Sequence, residues 1–180
     1  MNWKELIRPV AALAVAALVL FGASAALNST AQANAAADLE NLMGVLLPNS
    51  TSFTEEAYTG EDANIKNVYK ADNGYVIRTS AAGYAGDVTL LVGVDNGGKV
   101  TGLTVEDFSE TYGLGAQARF NWEFLAQYLG TSGEAAVGEG VDAITGATVS
   151  SKAVTKAVNS ACAFVTGADV SSSATEWGSW

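Results

Sequence analysis

The sequence contains no histidine and only one cysteine, Cys162. Without histidine the chain has no Ser-His-Asp triad and no histidine general base, and it lacks the commonest zinc ligand. One thiol cannot form an internal disulfide, hold an iron-sulfur cluster or supply a Cys-x-x-Cys redox pair. Redox chemistry in this chain would therefore require a bound organic cofactor.

Positive charge and proline are also scarce. The 180 residues include 9 Lys and Arg against 19 Asp and Glu, which gives a net charge of −10, and only 2 prolines. Nucleic acid binds through clustered cations, so the excess of anions excludes it as a partner. Hydrophobic residues make up 49% of the chain, which predicts a folded domain rather than a disordered chain.

A long apolar run lies near the amino terminus. Residues 9–27 are uncharged, with the sequence PVAALAVAALVLFGASAAL. At about 1.5 Å per residue, a helix of this length approaches the roughly 30 Å hydrocarbon core of a membrane. Lys4 and Arg8 precede the run, whereas the first charges after it are Asp38 and Glu40. This asymmetry predicts a cytoplasmic amino terminus.

The predicted topology is therefore a single-pass protein of the cytoplasmic membrane. Residues 1–8 form the cytoplasmic segment, residues 9–27 the transmembrane anchor, and the rest lies on the extracytoplasmic side. The small residues Ala31-Gln32-Ala33 leave open the alternative of a cleaved signal peptide. Both interpretations export the domain.

Residues 28–60 are predicted to be a helical connector. Apolar residues follow one another at helical spacing there, namely Leu39, Leu42, Met43, Leu46 and Leu47. Pro48 is expected to end that helix. Residues 168–180 are polar and serine-rich, and they are interpreted as a carboxyl-terminal tail.

Residues 61–167 are predicted to form one α+β domain with an antiparallel sheet flanked by helices. Segments rich in Val, Tyr, Ile, Leu and Thr alternate with Asn-Gly and Gly turns, which predicts a four-strand antiparallel meander. The strands are Asn67–Lys70, Tyr75–Ala81, Val88–Val94 and Val100–Val105.

Helical spacing returns after the strands. An aromatic and apolar run from Ala118 to Leu129 is helix-like, and most of its large side chains are assigned to the core. Residues 130–140 are expected to be a loop, and a final helix is predicted over 149–166. Cys162 lies on the apolar face of that helix, as a small buried hydrophobe.

The most informative segment is Asp142 to Lys152, with the sequence DAITGATVSSK. It indicates a loop entering a helix, and a helix start presents unpaired N–H groups and a positive dipole end to a phosphate. Gly146 and Ala147 leave the approach open. The hydroxyls of four residues and the cation of Lys152 are expected to be available to the same anion. The four are Thr145, Thr148, Ser150 and Ser151. The alternative is that Thr145 or Thr148 merely caps the helix and Asp142 closes a turn.

The pattern Asp142-x-x-Thr145-Gly146-Ala147-Thr148 resembles the flavinylation motif of extracytoplasmic FMN-binding domains. These domains occur in the G subunit of Rnf electron-transport complexes and in the C subunit of the sodium-translocating NADH:quinone reductase. The resemblance implies that Thr148 is esterified to the phosphate of FMN by a dedicated flavin transferase. Thr145, Gly146, Ala147, Ser151 and Lys152 are then expected around the phosphate.

A second motif of the family is similar to Glu110-Thr111-Tyr112-Gly113-Leu114-Gly115. The resemblance implies that Glu110, Thr111, Gly113 and Leu114 line the flavin ring. Two residues depart from the family pattern, since Tyr112 replaces a proline and Phe108 stands where many members have histidine. The Gly83-Tyr84-x-Gly86 turn is a third similarity.

The resemblance implies an electron carrier with no catalytic residue and no metal ligand of its own. Asp142 would orient the loop for flavin transfer or take part in its Mg-dependent chemistry. Lys152 would pair with the phosphodiester charge, or lie solvated on the helix. The implied role is an electron relay in an ion-pumping ferredoxin:NAD oxidoreductase complex, with the other membrane subunits as partners. A stand-alone extracytoplasmic FMN carrier and a non-redox exported binding module remain the alternatives.

Overall fold

The computed structural model describes residues 31–108 and 121–168. The chain forms two compact units, Met1–Asn41 and Leu42–Trp180. Residues 31–46 are helical (α1), with 31–41 in the first unit and 42–46 in the second. The predicted helix before Pro48 is confirmed over this range.

Within residues 31–108 and 121–168, no helix is both long and apolar enough to cross a membrane. The predicted cytoplasmic segment 1–8, the predicted anchor 9–27 and residues 169–180 of the tail lie outside the described residues. They stay predictions.

An antiparallel sheet of five strands forms the centre of the second unit. The strands are β1 Thr54–Glu56, β2 Ile65–Lys70, β3 Gly74–Ala82, β4 Asp87–Asp95 and β5 Val100–Phe108. They lie in the order β1-β2-β3-β4-β5, each antiparallel to its neighbour. The predicted meander is confirmed. Strand β1 was not predicted because its three residues, TEE, are all exposed and carry no apolar alternation.

In residues 121–168, two helices and a short strand pair follow the sheet. They are α2 Trp122–Ala126, β6 Ala136–Val137, β7 Gly140–Val141 and α3 Thr148–Thr166, and β6 and β7 pair in parallel. The predicted final helix is confirmed to within one residue. It ends at Gly167, which has φ +69° and donates its N–H to Ala163 O.

Two expectations are corrected in this region. Residues 130–140 are not wholly loop, because β6 and the first residue of β7 fall within them. In the described part of the aromatic run, the helix covers only Trp122–Ala126, since the Asn121 side chain caps its start and the chain turns after Gln127. Phe124 and Tyr128 are core residues as expected, whereas Trp122 and Leu129 are exposed.

The main core lies between one face of the sheet and α3. Fully buried side chains from β3, β4 and α3 meet there, among them Ile77, Leu90, Val92, Val154 and Val158. Cys162 joins this cluster, as predicted, and its burial raises the pKa of the thiol to about 12. The core therefore holds α3, and with it the helix start, rigidly against the sheet.

The other face of the sheet receives the end of α1. Gly93 of β4 and Gly102 of β5 are register partners, and both lie against the backbone of Leu46. Thr101 Oγ1 donates to Leu46 O over 2.6 Å. The paired glycines are required because a Cβ at Gly102 would lie 2.8 Å from Leu46 O and one at Gly93 would lie closer still.

Candidate functional site

The loop between β7 and α3 forms a tight turn before the helix begins. Ala147 N–H donates to Ile144 O over 2.9 Å, which closes a four-residue turn from Ile144 to Ala147. Gly146, at the third position, has φ +77°, as a type II turn requires. The glycine of the Thr-Gly-Ala-Thr string is therefore explained by local backbone geometry.

Ser151 holds this turn from inside the protein. Its Oγ accepts the N–H of Ile144 at 3.1 Å and donates to Ala147 O at 2.9 Å. The residue is fully buried. Its hydroxyl thus joins the two ends of the turn to the first turn of α3, and the structure gives Ser151 a positioning role.

The start of α3 has no side-chain cap. Its N-cap residue is Ala147, which carries no oxygen on its side chain, and the first turn contains no acidic residue. The alternative in which Thr145 or Thr148 caps the helix is therefore wrong. The positive end of the helix dipole is left without a neutralising side chain from the first turn.

Thr145 and Thr148 lie on the surface of the loop and the helix start. Both residues are exposed, and Thr148 is the first residue of α3. Lys152, which is half-buried, follows Thr148 by one helical turn and shares its face of the helix. The hydroxyl of Thr148 and the cation of Lys152 thus lie on the same side of the helix start.

The other end of the loop is held by a side chain of the segment after α2. Asp142 N–H donates to Gln127 Oε1 over 2.7 Å, and Gln127 Nε2 donates to Asp142 O over 3.3 Å. These bonds hold the backbone of Asp142, a residue that is itself exposed. The sequence did not identify Gln127, because no local sequence pattern indicates a contact between residues fifteen positions apart.

An open cleft of about 550 Å³ lies between α2 and this loop. It is lined by Asn121, Glu123, Phe124, Gln127, Asp142, Ala143, Ile144 and Thr145. Asn121 Oδ1 accepts the N–H of Phe124 at 3.0 Å, which fixes the start of α2. Asp142 and Thr145 of the predicted motif therefore line the same cleft as four residues of the α2 region.

A buried hydrogen-bond chain joins the α2 region to α3. The hydroxyls of Tyr128 and Thr155 lie 2.7 Å apart, and Thr155 Oγ1 donates to Ser151 O over 2.9 Å. Tyr128 is fully buried, and this burial raises the pKa of its phenol. The ring of Tyr128 packs edge-on to Phe124 at 5.4 Å between centroids. Phe124, on the wall of the cleft, is thereby fixed relative to α3.

The second predicted motif cannot be placed. Glu110, Thr111, Gly113 and Leu114 lie outside the described residues, as does Tyr112. Their predicted contact with a flavin ring stays a prediction. Within residues 31–108 and 121–168, no group of three or more Cys, Asp or Glu side chains is arranged to hold a metal ion.

Comparison with known proteins gives consistent matches. Residues 83–163 match the model of the FMN-binding domain. The chain is 40% identical over 97 residues to the G subunit of the Na(+)-translocating ferredoxin:NAD(+) oxidoreductase complex of Acetobacterium woodii, covering 48% of this chain and 46% of the relative. It is 36% identical over 113 residues to the G subunit of the proton-translocating ferredoxin:NAD(+) oxidoreductase complex of Clostridium ljungdahlii, covering 56% of this chain and 60% of the relative.

A third relative is matched over a longer region. The chain is 34% identical over 134 residues to the G subunit of the ion-translocating oxidoreductase complex of Methanosarcina acetivorans, covering 72% of this chain and 69% of the relative. The chain spans about half the length of the first of these relatives. The FMN-binding match runs from the turn after β3 almost to the end of α3.

Proposed function

We propose that this chain, which belongs to the family of FMN-binding G subunits of ion-translocating oxidoreductase complexes, carries FMN as an ester of Thr148 and relays electrons within such a complex. The observation that carries the proposal is the exposed hydroxyl of Thr148 at a helix start that no side chain caps. A flavin transferase would attach the group, and the chain itself would be a carrier rather than a complete enzyme.

The residues at the helix start fit a phosphate. A phosphate ester on Thr148 would meet the positive end of the α3 dipole, where the first turn brings no competing carboxylate. Gly146 has no side chain to obstruct the approach, and Lys152 supplies a cation on the same face. Ser151 holds the turn, so these groups keep a fixed arrangement.

The adjoining cleft has the volume of a cofactor site. Its volume of about 550 Å³ lies within the roughly 300 to 1,000 Å³ of ordinary cofactor sites. The buried Phe124 contributes an apolar wall, and Gln127 and Asn121 contribute amide groups. When bound, the isoalloxazine of FMN supplies the redox chemistry, while the protein orients it and sets its surroundings. An open cleft suits a carrier, because a partner's cofactor has to come near.

The family supports the proposed partners and location. The relatives are subunits of ferredoxin:NAD(+) or ion-translocating oxidoreductase complexes, so other membrane subunits are the proposed partners. Residues 9–27 would anchor the chain in the cytoplasmic membrane, with the FMN-binding domain on the extracytoplasmic side. Co-purification with polytopic subunits supports this role, and isolation of the flavinylated chain without them supports a stand-alone carrier.

The capping interpretation behind the non-redox alternative does not fit the structure. It treated the Thr-Gly-Ala-Thr string as a helix cap, and the N-cap is Ala147 without any side-chain hydrogen bond. The exposed threonines thus serve no capping purpose in the fold.

In-gel fluorescence of the denatured chain tests the proposal, because denaturation removes a noncovalent flavin. The chain is produced with and without a flavin transferase, as parent, Thr148→Ala and Thr145→Ala. Thr145 is the matched control, since it is an exposed threonine of the same loop. We expect transferase-dependent fluorescence in the parent and Thr145→Ala and none in Thr148→Ala. If the parent band shows no flavin fluorescence while a positive control does, the proposal is contradicted.

A further inference from the structure

The side-chain carboxamide of Gln127 joins the α2 region to the loop between β7 and α3. This loop leads to Thr148 and is called the attachment loop below. The carboxamide accepts from Asp142 N–H at 2.7 Å and donates to Asp142 O at 3.3 Å, so that it pairs with both polar groups of one backbone residue. Gln127 itself is the C-cap of α2, and its own N–H donates to Phe124 O. The base of this side chain is therefore fixed by α2.

The bonds from Gln127 hold the loop at its amino-terminal end. Its carboxyl-terminal end is tied to α3 through Ser151. The segment that leads into Asp142 is short, because β7 has only two residues, and it follows Gly138 and Gly140, which both have positive φ. Its last residue, Val141, is buried in the core. Asp142 is exposed. Burial of its side chain therefore does not fix this end.

We propose that Gln127 is a positioning residue, which sets the place of the Asp142 backbone and thereby presents the loop and Thr148 for loading with flavin. The inference rests on the proposed attachment at Thr148. Gln127 and Asp142 also line the same cleft. A carboxamide is needed because it offers a donor and an acceptor on one flat group.

Three variants of the full chain separate this role from general stability. Gln127→Met keeps the length and removes both hydrogen bonds to Asp142, together with the longer one from Nε2 to Phe124 O at 3.5 Å. Gln127→Glu, ionised at neutral pH, keeps the acceptor and loses the donor. Asn73→Ala is the matched control. Asn73 also makes two side-chain hydrogen bonds, accepting from Ser50 Oγ at 2.7 Å and donating to Pro48 O at 2.8 Å, in a different part of the domain.

The first measurement is amide hydrogen exchange of Asp142 in the chain without flavin. Loss of one hydrogen bond of ordinary net strength should speed this exchange about fivefold in Gln127→Met. Asn73→Ala should leave it at the parent rate. Unchanged exchange in Gln127→Met would overturn the proposal, whatever the flavin result.

The second measurement is the kinetics of loading by a flavin transferase, with the chain as the varied substrate. We expect kcat/KM to fall about tenfold in Gln127→Met, less in Gln127→Glu, and not in Asn73→Ala. If Asp142 exchanges faster in Gln127→Met but the variant is loaded with the same kinetics as the parent, only the positioning role is overturned. A parent chain that takes up no flavin would overturn the proposed function and with it the role of Gln127 in loading. The exchange result would still show whether the Gln127 side chain holds the backbone of Asp142.

Discussion

The hydroxyl of Ser151 makes two hydrogen bonds inside the fold that an apolar side chain does not replace. One is accepted from Ile144 N–H, at a residue only 7% exposed, and the other is donated to Ala147 O. A buried donor without a partner carries its full desolvation cost. The residue is therefore part of the structure that holds the turn, although its position in the motif first indicated a ligand.

Ser151→Ala should lower the free energy of unfolding by about 1 to 3 kcal/mol, because the buried Ile144 N–H loses its partner. Denaturant unfolding of the chain without flavin measures this value. The matched control is Ser150→Ala at the neighbouring buried serine, which leaves both turn bonds in place. Equal losses in the two variants would contradict the assigned role.

The buried thiol of Cys162 should make the free energy of unfolding depend on pH. Burial, with Glu134 and Asp95 nearby, raises the pKa of its thiol from 9.0 to about 12 in the folded chain. The unfolded thiol therefore ionises first. The associated stability is complete below pH 9 and is lost as the pH rises from there toward 12, by about 1.4 kcal/mol per unit.

Cys162→Ala removes this titration. Between pH 9 and pH 11, its free energy of unfolding should fall less steeply than that of the parent, by about 1.4 kcal/mol per pH unit. Denaturant unfolding at several pH values measures both slopes, and the parent controls for the other titrating groups. Parallel slopes would mean that the thiol is not buried in the folded chain.

At the scale of elements, the packing of the end of α1 against the sheet depends on two glycines. Gly93 and Gly102 face each other across β4 and β5 and leave room for the backbone of Leu46. Thr101 then fixes the carbonyl of Leu46 by its hydrogen bond. The end of the helix thus covers a part of the sheet that is otherwise backbone.

Gly93→Ala should destabilise the domain by about 1 to 3 kcal/mol or more, because the added methyl overlaps Leu46 O and overpacking forces a backbone shift. Gly44→Ala is the control within the same helix. A Cβ there meets nothing within 4 Å, so alanine should stabilise the helix by about 0.5 to 1 kcal/mol. Thermal unfolding of both variants distinguishes packing from a general glycine effect.

At the scale of the whole molecule, the fold was largely predictable because its signals are local. Alternation of apolar residues located β2 to β5, and helical spacing located α3. The bonds from Gln127 to Asp142 and from Tyr128 to Thr155 were not predictable, since they join residues 15 and 27 positions apart. The helix-cap alternative stayed open for a similar reason, because residue type alone did not show that the N-cap position falls on Ala147.

The molecule therefore presents a sheet and a helix packed together, with the proposed attachment loop at the start of α3. The loop is held at one end by Ser151 and at the other by Gln127, and its two threonines are exposed. This arrangement supports a carrier, in which the fold fixes the place of a bound group and leaves it open to partners.

Peptide mapping of the flavinylated chain by tandem mass spectrometry tests the central claim most directly. Digestion after arginine and lysine releases a peptide that ends at Lys152 and contains both Thr145 and Thr148. We expect the mass of FMN, less one water, on this peptide, with fragment ions that assign it to Thr148. FMN mass on Thr145, on another peptide or on none would contradict it.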